Sequence, residues 1–449
     1  MRSMPSACGA RAAPGAVVLL FILIAAGSPS CRREPIAPRP AQGAILISVD
    51  TLRPDHLGCY GYPLPTSASI DALRHEAVLF RTAIAHGPST LVSHAAMLTS
   101  LDPPRHGASA NWHHGLSSSH LTLAEALGAH GVATASFNGG GRLDPAYGLS
   151  QGFDVYESRG GRDDTLASAA DTGLAWLARH RGDRFFLFLH TYEVHAPYAP
   201  TASDLAALGP PYTGSLPPVI GLDLLPEINA GRRRLRPGDL DYIRRAYDAE
   251  IRSMDRGLGR LVAGLRALGL YDRTLVVLTA DHGEEFGEHG SVGTHSHTLF
   301  EELLRVPLLV KLPDSRHAGA AVQAMVRSKD AASTIVSVLG FPIPPVFEGI
   351  DLVALLEGRV PPPAIALSQM DGGGTSLRTH RWKWIRGRLY DLENDPGETR
   401  DLARVLPERE AELRRLRDRL VGRDGAPAGE RVEIDEGLRE RLRALGYVN

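Results

Sequence analysis

Three apolar runs in this chain stop at a residue able to do chemistry. AILISV (44–49) runs into Asp50, FFLFL (185–189) into His190, and the run that opens TLVVLTADHGEEFGEHG (274–290) into Asp281 and His282. Continuous hydrophobic runs of this length are the pattern of strands buried on both faces, which belong to parallel sheets. One such ending is unremarkable. Three of them, on strands that alternate with helical segments, are expected on one edge of one sheet, because open α/β sheets bind ligands beyond the carboxyl ends of their strands. The expected fold is α/β, a large mixed, mostly parallel sheet flanked by helices. A carboxylate next to an imidazole at a strand end suits a metal ion, so Asp281 and His282 are read as metal ligands to which the rest of the chain brings a nucleophile and a substrate.

The intervening segments fill in this pattern. Helices are expected over Thr66–Leu79, Leu91–Leu98, 121–130, 165–180 and 330–339, and a short one over Thr298–Leu304. Ser89 and Thr90, after the Gly87-Pro88 break, fall at a helix N-terminus. Asp239–Leu268 is a long amphipathic helix whose Tyr247, Ile251, Met254, Leu258, Leu261 and Leu265 recur at core spacing. VATASF (132–137) and VPLLVKL (306–312) read as further strands. Residues 199–238, rich in Pro and Gly, are too long for a plain connection and read as a lid or insertion. From 364 the texture changes to short runs, AIALSQ, TSLRTH, RWKWIRG and RLYDL, expected to form a small antiparallel sheet before terminal helices at 407–422 and 434–445. The expected division is a catalytic domain over 43–362 and a C-terminal subdomain over 363–449, within the unit count that 449 residues allow.

The N-terminus reads as a targeting segment. Arg2 and Arg11 precede an apolar stretch, Ala16–Gly27, too short to span a bilayer as a helix. Residues 1–30 are expected to be a signal peptide. Cys31 would be the lipidated first residue of a bacterial lipoprotein, with a Pro-rich tether over 31–42; ordinary secretion and an uncleaved anchor are the alternatives. The expected location is extracytoplasmic, in the bacterial periplasm or cell envelope, and in the lipoprotein reading the lipid on Cys31 is the membrane contact. A net charge of −2 gives no case for nucleic acid as a partner. With Cys8 lost and Cys31 lipidated, Cys59 has no disulfide partner, and the oligomeric state stays open.

Six stretches, in order, carry a family resemblance: ILISVDTLRPDHLGCYGY, PSTLVSHAAMLTS, LHTYEVHAPYAP, LTADHGEEFGEHG, THSHTLFEELLRVPLLV and RLYDLENDPGETRDLA. From Ala44 to the end the chain resembles the sulfatase family of the alkaline phosphatase superfamily. The resemblance implies an alkaline phosphatase-like fold and an ester hydrolase with one divalent metal ion, its partner a small anionic sulfate or phosphate ester. Asp50 and Asp281 match two metal-binding aspartates of that family. His282 stands where many sulfatases have asparagine and where phosphate-transferring relatives have histidine, and position 51, often a second aspartate, is Thr51. Imidazole suits manganese or zinc better than calcium, so the metal stays open between calcium and manganese or zinc.

The resemblance puts Thr90 at the nucleophile position. Typical sulfatases have there a cysteine, in C-x-P-x-R, that is converted to formylglycine; this chain reads Thr90-Leu91-Val92-Ser93-His94. Relatives that transfer phosphate use an unmodified threonine. A hydroxyl becomes a competent nucleophile when a metal or a base lowers the cost of losing its proton, and a helix N-terminus favours an anion in front of it. Thr90 is therefore also expected at the metal. His195 matches the family histidine that contacts substrate and protonates the leaving group, work suited to an imidazole. His94, His190, His295 and His297 are expected to bind substrate, because lysine occurs only at Lys311, Lys329 and Lys383, so the lysines that sulfatases commonly place around sulfate are missing.

The substrate class stays open at this level. Threonine, His282 and the missing lysines lean toward phosphate or phosphonate esters, whereas the motif set leans toward sulfate esters. A sulfated threonine cannot shed sulfate by the C–O cleavage open to a sulfated formylglycine, so turnover would need attack at sulfur. A phosphoryl-group transferase and a non-catalytic anion-binding envelope protein are the other two readings.

Overall fold

The computed structural model describes residues 40–109, 111, 113–160, 164–370, 373–422 and 429–445. The signal peptide, Cys31 and most of the 31–42 tether lie outside the described residues. No helix among the described residues is long and apolar enough to cross a membrane.

The main sheet has eight strands: β1 Gly43–Val49, β2 Val78–Ile84, β3 Ala133–Asn138, β4 Val155–Ser158, β5 Phe185–Thr191, β6 Thr274–Ala280, β7 Arg305–Lys311 and β8 Ala321–Arg327. Their order is β8-β2-β7-β6-β1-β5-β3-β4. β7 runs antiparallel to both its neighbours and the other pairs are parallel, so the sheet is mixed and mostly parallel as expected. The three chemistry-bearing strands are adjacent at its centre. In register, Val49 of β1 stands beside Thr191 of β5 and Ala280 of β6, which brings Asp50, His190 and Asp281 to one edge. Every residue of these three strands is buried, which accounts for the unbroken apolar runs.

Helices cover both faces. The principal ones are α1 Ala68–Arg74, α2 Thr90–Thr99, α3 Leu166–Arg179, α4 Asp239–Ala267 and α5 Asp330–Val338. The helix expected over Thr66–Leu79 ends at Arg74; Val78–Ile84 is β2 instead. VLFRTAI is β-prone and fully two-sided between β7 and β8, and the ladders to both neighbours outweigh continuation of the helix. The 298–304 helix is only Glu301–Leu304. Residues 199–238 carry two short helices, Ala202–Ala207 and Leu224–Asn229, and a bridge from Tyr198 to Ile220.

The C-terminal sheet is antiparallel, as expected: β9 Ala366–Gln369, β10 Thr375–Arg378, β11 Trp382–Ile385 and β12 Arg388–Asp391. Helices α6 Pro407–Val421 and α7 Glu436–Ala444 follow. Strand β9 braces the segment before α2. Gln369 N–H donates to the His86 carbonyl (2.9 Å), His86 Nδ1 donates to the Leu367 carbonyl (2.8 Å), and Ser368 Oγ donates to the Ala85 carbonyl (2.6 Å). Ser296 Oγ adds a bond to the Pro88 carbonyl (3.0 Å). The loop that delivers Thr90 is thus held from two sides.

Candidate active site

Thr90 is the first residue of α2. Ser89 is the N-cap and its side chain makes no capping bond. The buried Thr90 Oγ1 donates instead to Asp50 Oδ2, 3.1 Å away. Asp281 faces the same point. Its Oδ1 accepts from the His282 N–H (2.9 Å) and sits 3.4 Å from the Thr51 N–H, and its Oδ2 lies 3.5 Å from His282 Nε2. Thr51 adopts a left-handed backbone (φ 57°), with its carbonyl accepting from the Tyr247 hydroxyl (2.8 Å). That bend turns its N–H toward Asp281.

Asp50, Asp281 and His282 bring one donor atom each within 4.8 Å of one another, all buried. Asp50 Oδ1, Asp281 Oδ2 and His282 Nε2 make no hydrogen bond. His282 Nδ1 donates to the Gly283 carbonyl (2.9 Å), which leaves the lone pair on Nε2. Orphaned buried lone pairs on two carboxylates and an imidazole are costly unless a cation meets them, so the residues present fit a divalent metal. His94, His190 and Asp281 form a second grouping of the same tightness. There, however, His94 Nδ1 donates to the Thr90 carbonyl (2.8 Å) and Nε2 accepts from Ser48 Oγ (2.9 Å), so its ring has no free lone pair.

The charges are strongly interdependent. Burial, then the Asp281 carboxylate, raises the Asp50 pKa well above the carboxylate range. Burial also pushes Asp281 up, but the His282, His94 and His190 imidazoles override it and hold Asp281 low. When the pair carries a proton it therefore sits on Asp50. Burial is the leading cause that lowers His94, His190 and His295, with neighbouring imidazoles adding to the effect on His190 and His295.

The remaining expected residues divide by position. His190 Nε2 lies 3.6 Å from Asp50 Oδ2, and its ring packs edge-on to His94 at 5.0 Å. His195 is buried, its Nδ1 against the Ala196 carbonyl, and burial followed by His295 brings its pKa down to about 4. The rings of His282, His295 and His195 follow one another at 4.5 and 4.9 Å. His94 is tied to Ser48 and Thr90, an arrangement that positions α2 against β1. His297 is exposed and lines a separate cleft with Arg386, Arg388 and Tyr390. Sequence reasoning did not single out Glu284, which is fully buried, accepts from the Tyr198 hydroxyl (3.1 Å) and lies 3.4 Å from His295 Nδ1. Nor did it place Arg53, whose guanidinium is spent on Asp55 (2.7 Å), Glu288 (2.8 Å) and the Glu284 carbonyl (2.8 Å).

Comparison with known proteins gives this geometry a context. Among curated relatives, the Ulvan-active sulfatase of Formosa agariphila is 26% identical over 357 residues, 73% of this chain and 66% of that protein. This chain spans 35%, 66% and 54% of the length of three curated relatives it matches. Among solved structures, one in complex with its substrate D-glucosamine-2-N,6-O-disulfate superposes with a TM-score of 0.71 at 19% identity, covering 86% of this chain and 99% of that one. The phosphonate monoester hydrolase of Agrobacterium radiobacter superposes with a TM-score of 0.67 at 20% identity, covering 86% and 96%. At these identities the superpositions speak to the fold alone, which they show to be that of sulfatases and their alkaline phosphatase-like kin. The Sulfatase family model matches residues 42–341, which hold all eight strands of the main sheet and both of its central carboxylates, and the chain belongs to the sulfatase family.

Proposed function

We propose that the protein is a metal-dependent hydrolase that moves a sulfuryl or phosphoryl group from an ester to Thr90 and then to water. The observation that carries this reading is the Thr90 hydroxyl, hydrogen-bonded to Asp50 at the head of α2 and adjacent to three orphaned ligand atoms. Asp50, Asp281 and His282 would hold the metal, with Thr90 beside it; manganese or zinc suits that set at least as well as calcium. A divalent ion there supplies Lewis acidity, stabilising charge on the ester oxygens and easing loss of the hydroxyl proton.

The chain's own groups account for the proton movements. Thr90 Oγ1 passes its proton to Asp50 Oδ2 as its bond to sulfur or phosphorus forms and the bond to the leaving oxygen breaks. His195 enters protonated at Nε2, an anionic ester opposing the burial that otherwise lowers its pKa, and gives that proton to the departing alkoxide. Water then attacks the group on Thr90, losing a proton to His195 while Thr90 recovers its own from Asp50. The N-terminus of α2 aims its dipole at the anion throughout. His94 holds Thr90 in place, and Glu284 steadies His295.

Positive charge at this centre is scarce, which bears on substrate class. Lys329 is bound to Asp102 (2.6 Å) and Glu348 (3.0 Å), Lys383 to Glu301 (3.1 Å) and Glu398 (3.0 Å), and Lys311 to the Tyr271 and Thr274 carbonyls. Esters with a single negative charge, sulfate monoesters, phosphodiesters and phosphonate monoesters, are favoured over phosphate monoesters, which carry about −1.5 to −2 at neutral pH. Metal analysis of the purified protein, with hydrolysis of aryl sulfate, phosphodiester, phosphonate monoester and phosphate monoester by wild type and Thr90→Ala, tests the reading. Undiminished turnover in Thr90→Ala, or fastest turnover of the phosphate monoester, overturns it.

A further inference from the structure

A cavity of about 740 Å³ opens at the same sheet edge, walled by the loops after β3 and β5, by α4 and by α7. His195 is part of its wall, and the ring series His195–His295–His282 connects it to the carboxylates of the candidate metal site. Four carboxyl side chains line it, Glu440 at the rim and three deeper ones each held by a backbone N–H: Asp164 by Tyr192 (2.9 Å), Glu193 by Leu166 (3.0 Å) and Glu250 by Ala199 (2.6 Å). Arg441, also in the lining, is paired with Asp144 at 2.7 Å and so brings no free positive charge.

A group that leaves past His195 enters this space, because the other side of that imidazole faces His295 and the metal ligands. We propose that the cavity receives the alcohol portion of the ester and selects alcohols bearing a cationic group over those bearing an anionic one. The proposal rests on the hydrolase reading for its placement of the leaving group, but the charge selectivity belongs to the cavity itself. Burial pushes Asp164 and Glu250 up to about 7, so an entering cation gains by drawing their protons off, whereas an entering anion meets carboxyls that it makes harder to ionise.

The test uses the full chain and two matched phenols, 3-hydroxyphenyltrimethylammonium and 3-hydroxybenzoate, with their sulfate esters. Calorimetric binding of the free phenols reads the cavity without turnover. The cationic phenol should bind more tightly by on the order of tenfold, the scale of one favourable charge pair in partial solvent. Glu193→Gln and Glu250→Gln should each bring the ratio toward one, and Glu440→Gln, at the exposed rim, serves as a third variant that cannot disturb packing. The kcat/KM ratio of the two sulfate esters should move in parallel. Equal binding of the two phenols, or a ratio that ignores all three substitutions, overturns the proposal. Selective binding without hydrolysis of either phenol's sulfate, phosphonate or phosphodiester form would sink the hydrolase reading while leaving the cavity's selectivity standing.

Discussion

Thr90 Oγ1 lies 3.1 Å from Asp50 Oδ2, so a hydroxyl at the head of one helix is hydrogen-bonded to a carboxylate at the end of the central strand. The hydroxyl donates across the site, from the helix to the strand end. The bond is what a nucleophile awaiting deprotonation requires.

Thr90→Ala should therefore lower kcat on the preferred ester by about 10³-fold or more, while Thr90→Ser, which keeps the hydroxyl, should stay within roughly tenfold of wild type. Steady-state kinetics on both variants checks this. Intact-mass measurement of enzyme quenched during turnover should show one sulfuryl or phosphoryl group in wild type and none in Thr90→Ala.

Asp50 and Asp281 oppose one another in a buried site, so chelated protein should be less stable than protein supplied with manganese or zinc. At a free metal concentration of 100 times Kd the gain is about 2.7 kcal/mol, read as a rise in Tm. Asp50→Asn removes one of the two charges. It should raise the Tm of the chelated protein and abolish the metal-dependent rise; a metal response equal to that of wild type would exclude Asp50 as a ligand.

His106, behind α2, is buried, and burial, then His86 and His120, lowers its pKa to about 3. The folded state thus holds it neutral where the unfolded chain, at the ordinary value near 6.5, takes up a proton. Stability is complete above the unfolded value and falls as pH drops through the window from 6.5 toward 3, by on the order of 2 kcal/mol at pH 5 from this one group. His106→Asn keeps an acceptor for the Ala108 N–H, which His106 Nδ1 accepts at 3.1 Å. Denaturant melts at pH 7 and pH 5 should show a shallower loss in this variant than in wild type.

Lys383 and Arg378 on the C-terminal sheet meet Glu301, which precedes β7, and Lys383 also meets Glu398. These buried charges fasten the small sheet to the large one. Lys383→Met would leave two carboxylates with one cation, a loss of about 3–5 kcal/mol. Because β9 braces the loop before Thr90, the same substitution should lower kcat and admit protease between 363 and 391 before the main domain unfolds; limited proteolysis followed by mass spectrometry checks the order.

Sequence reasoning reached the sheet through β1, β5 and β6, whose two-sided burial demands unbroken apolar runs; it singled out Asp50, Asp281 and His282 from their place at the strand ends and Thr90 through motif resemblance. It lost β2, because no Gly or Pro between Arg74 and the β-prone VLFRTAI marks the end of the helix from Ala68. Only the partners β7 and β8, more than 200 residues later, decide that. Glu284 reads in sequence as one acid among several in a polar loop, and its link from Tyr198 to His295 exists only once the loop that carries Glu284 and His295 meets the distant Tyr198. His94 reads as a substrate contact, whereas its ring is committed to Ser48 and Thr90, a partner hidden inside a strand. His297 shares a motif with His295, yet the left-handed turn at Ser296 (φ 73°) separates the two, one buried and the other exposed.

Lys311, Lys329 and Lys383 are each no more than 1% exposed, and they are the chain's full complement of lysine. Amine-acylating reagents consequently find no lysine on the native surface. Each ammonium becomes reactive only when its own region opens: Lys311 with the end of β7, Lys329 ahead of α5, Lys383 with the C-terminal sheet. Acylation at a given lysine, followed over time by peptide mass spectrometry, then acts as a clock for the opening of that region, and the three rates rank the local stabilities of the two sheets in a single experiment.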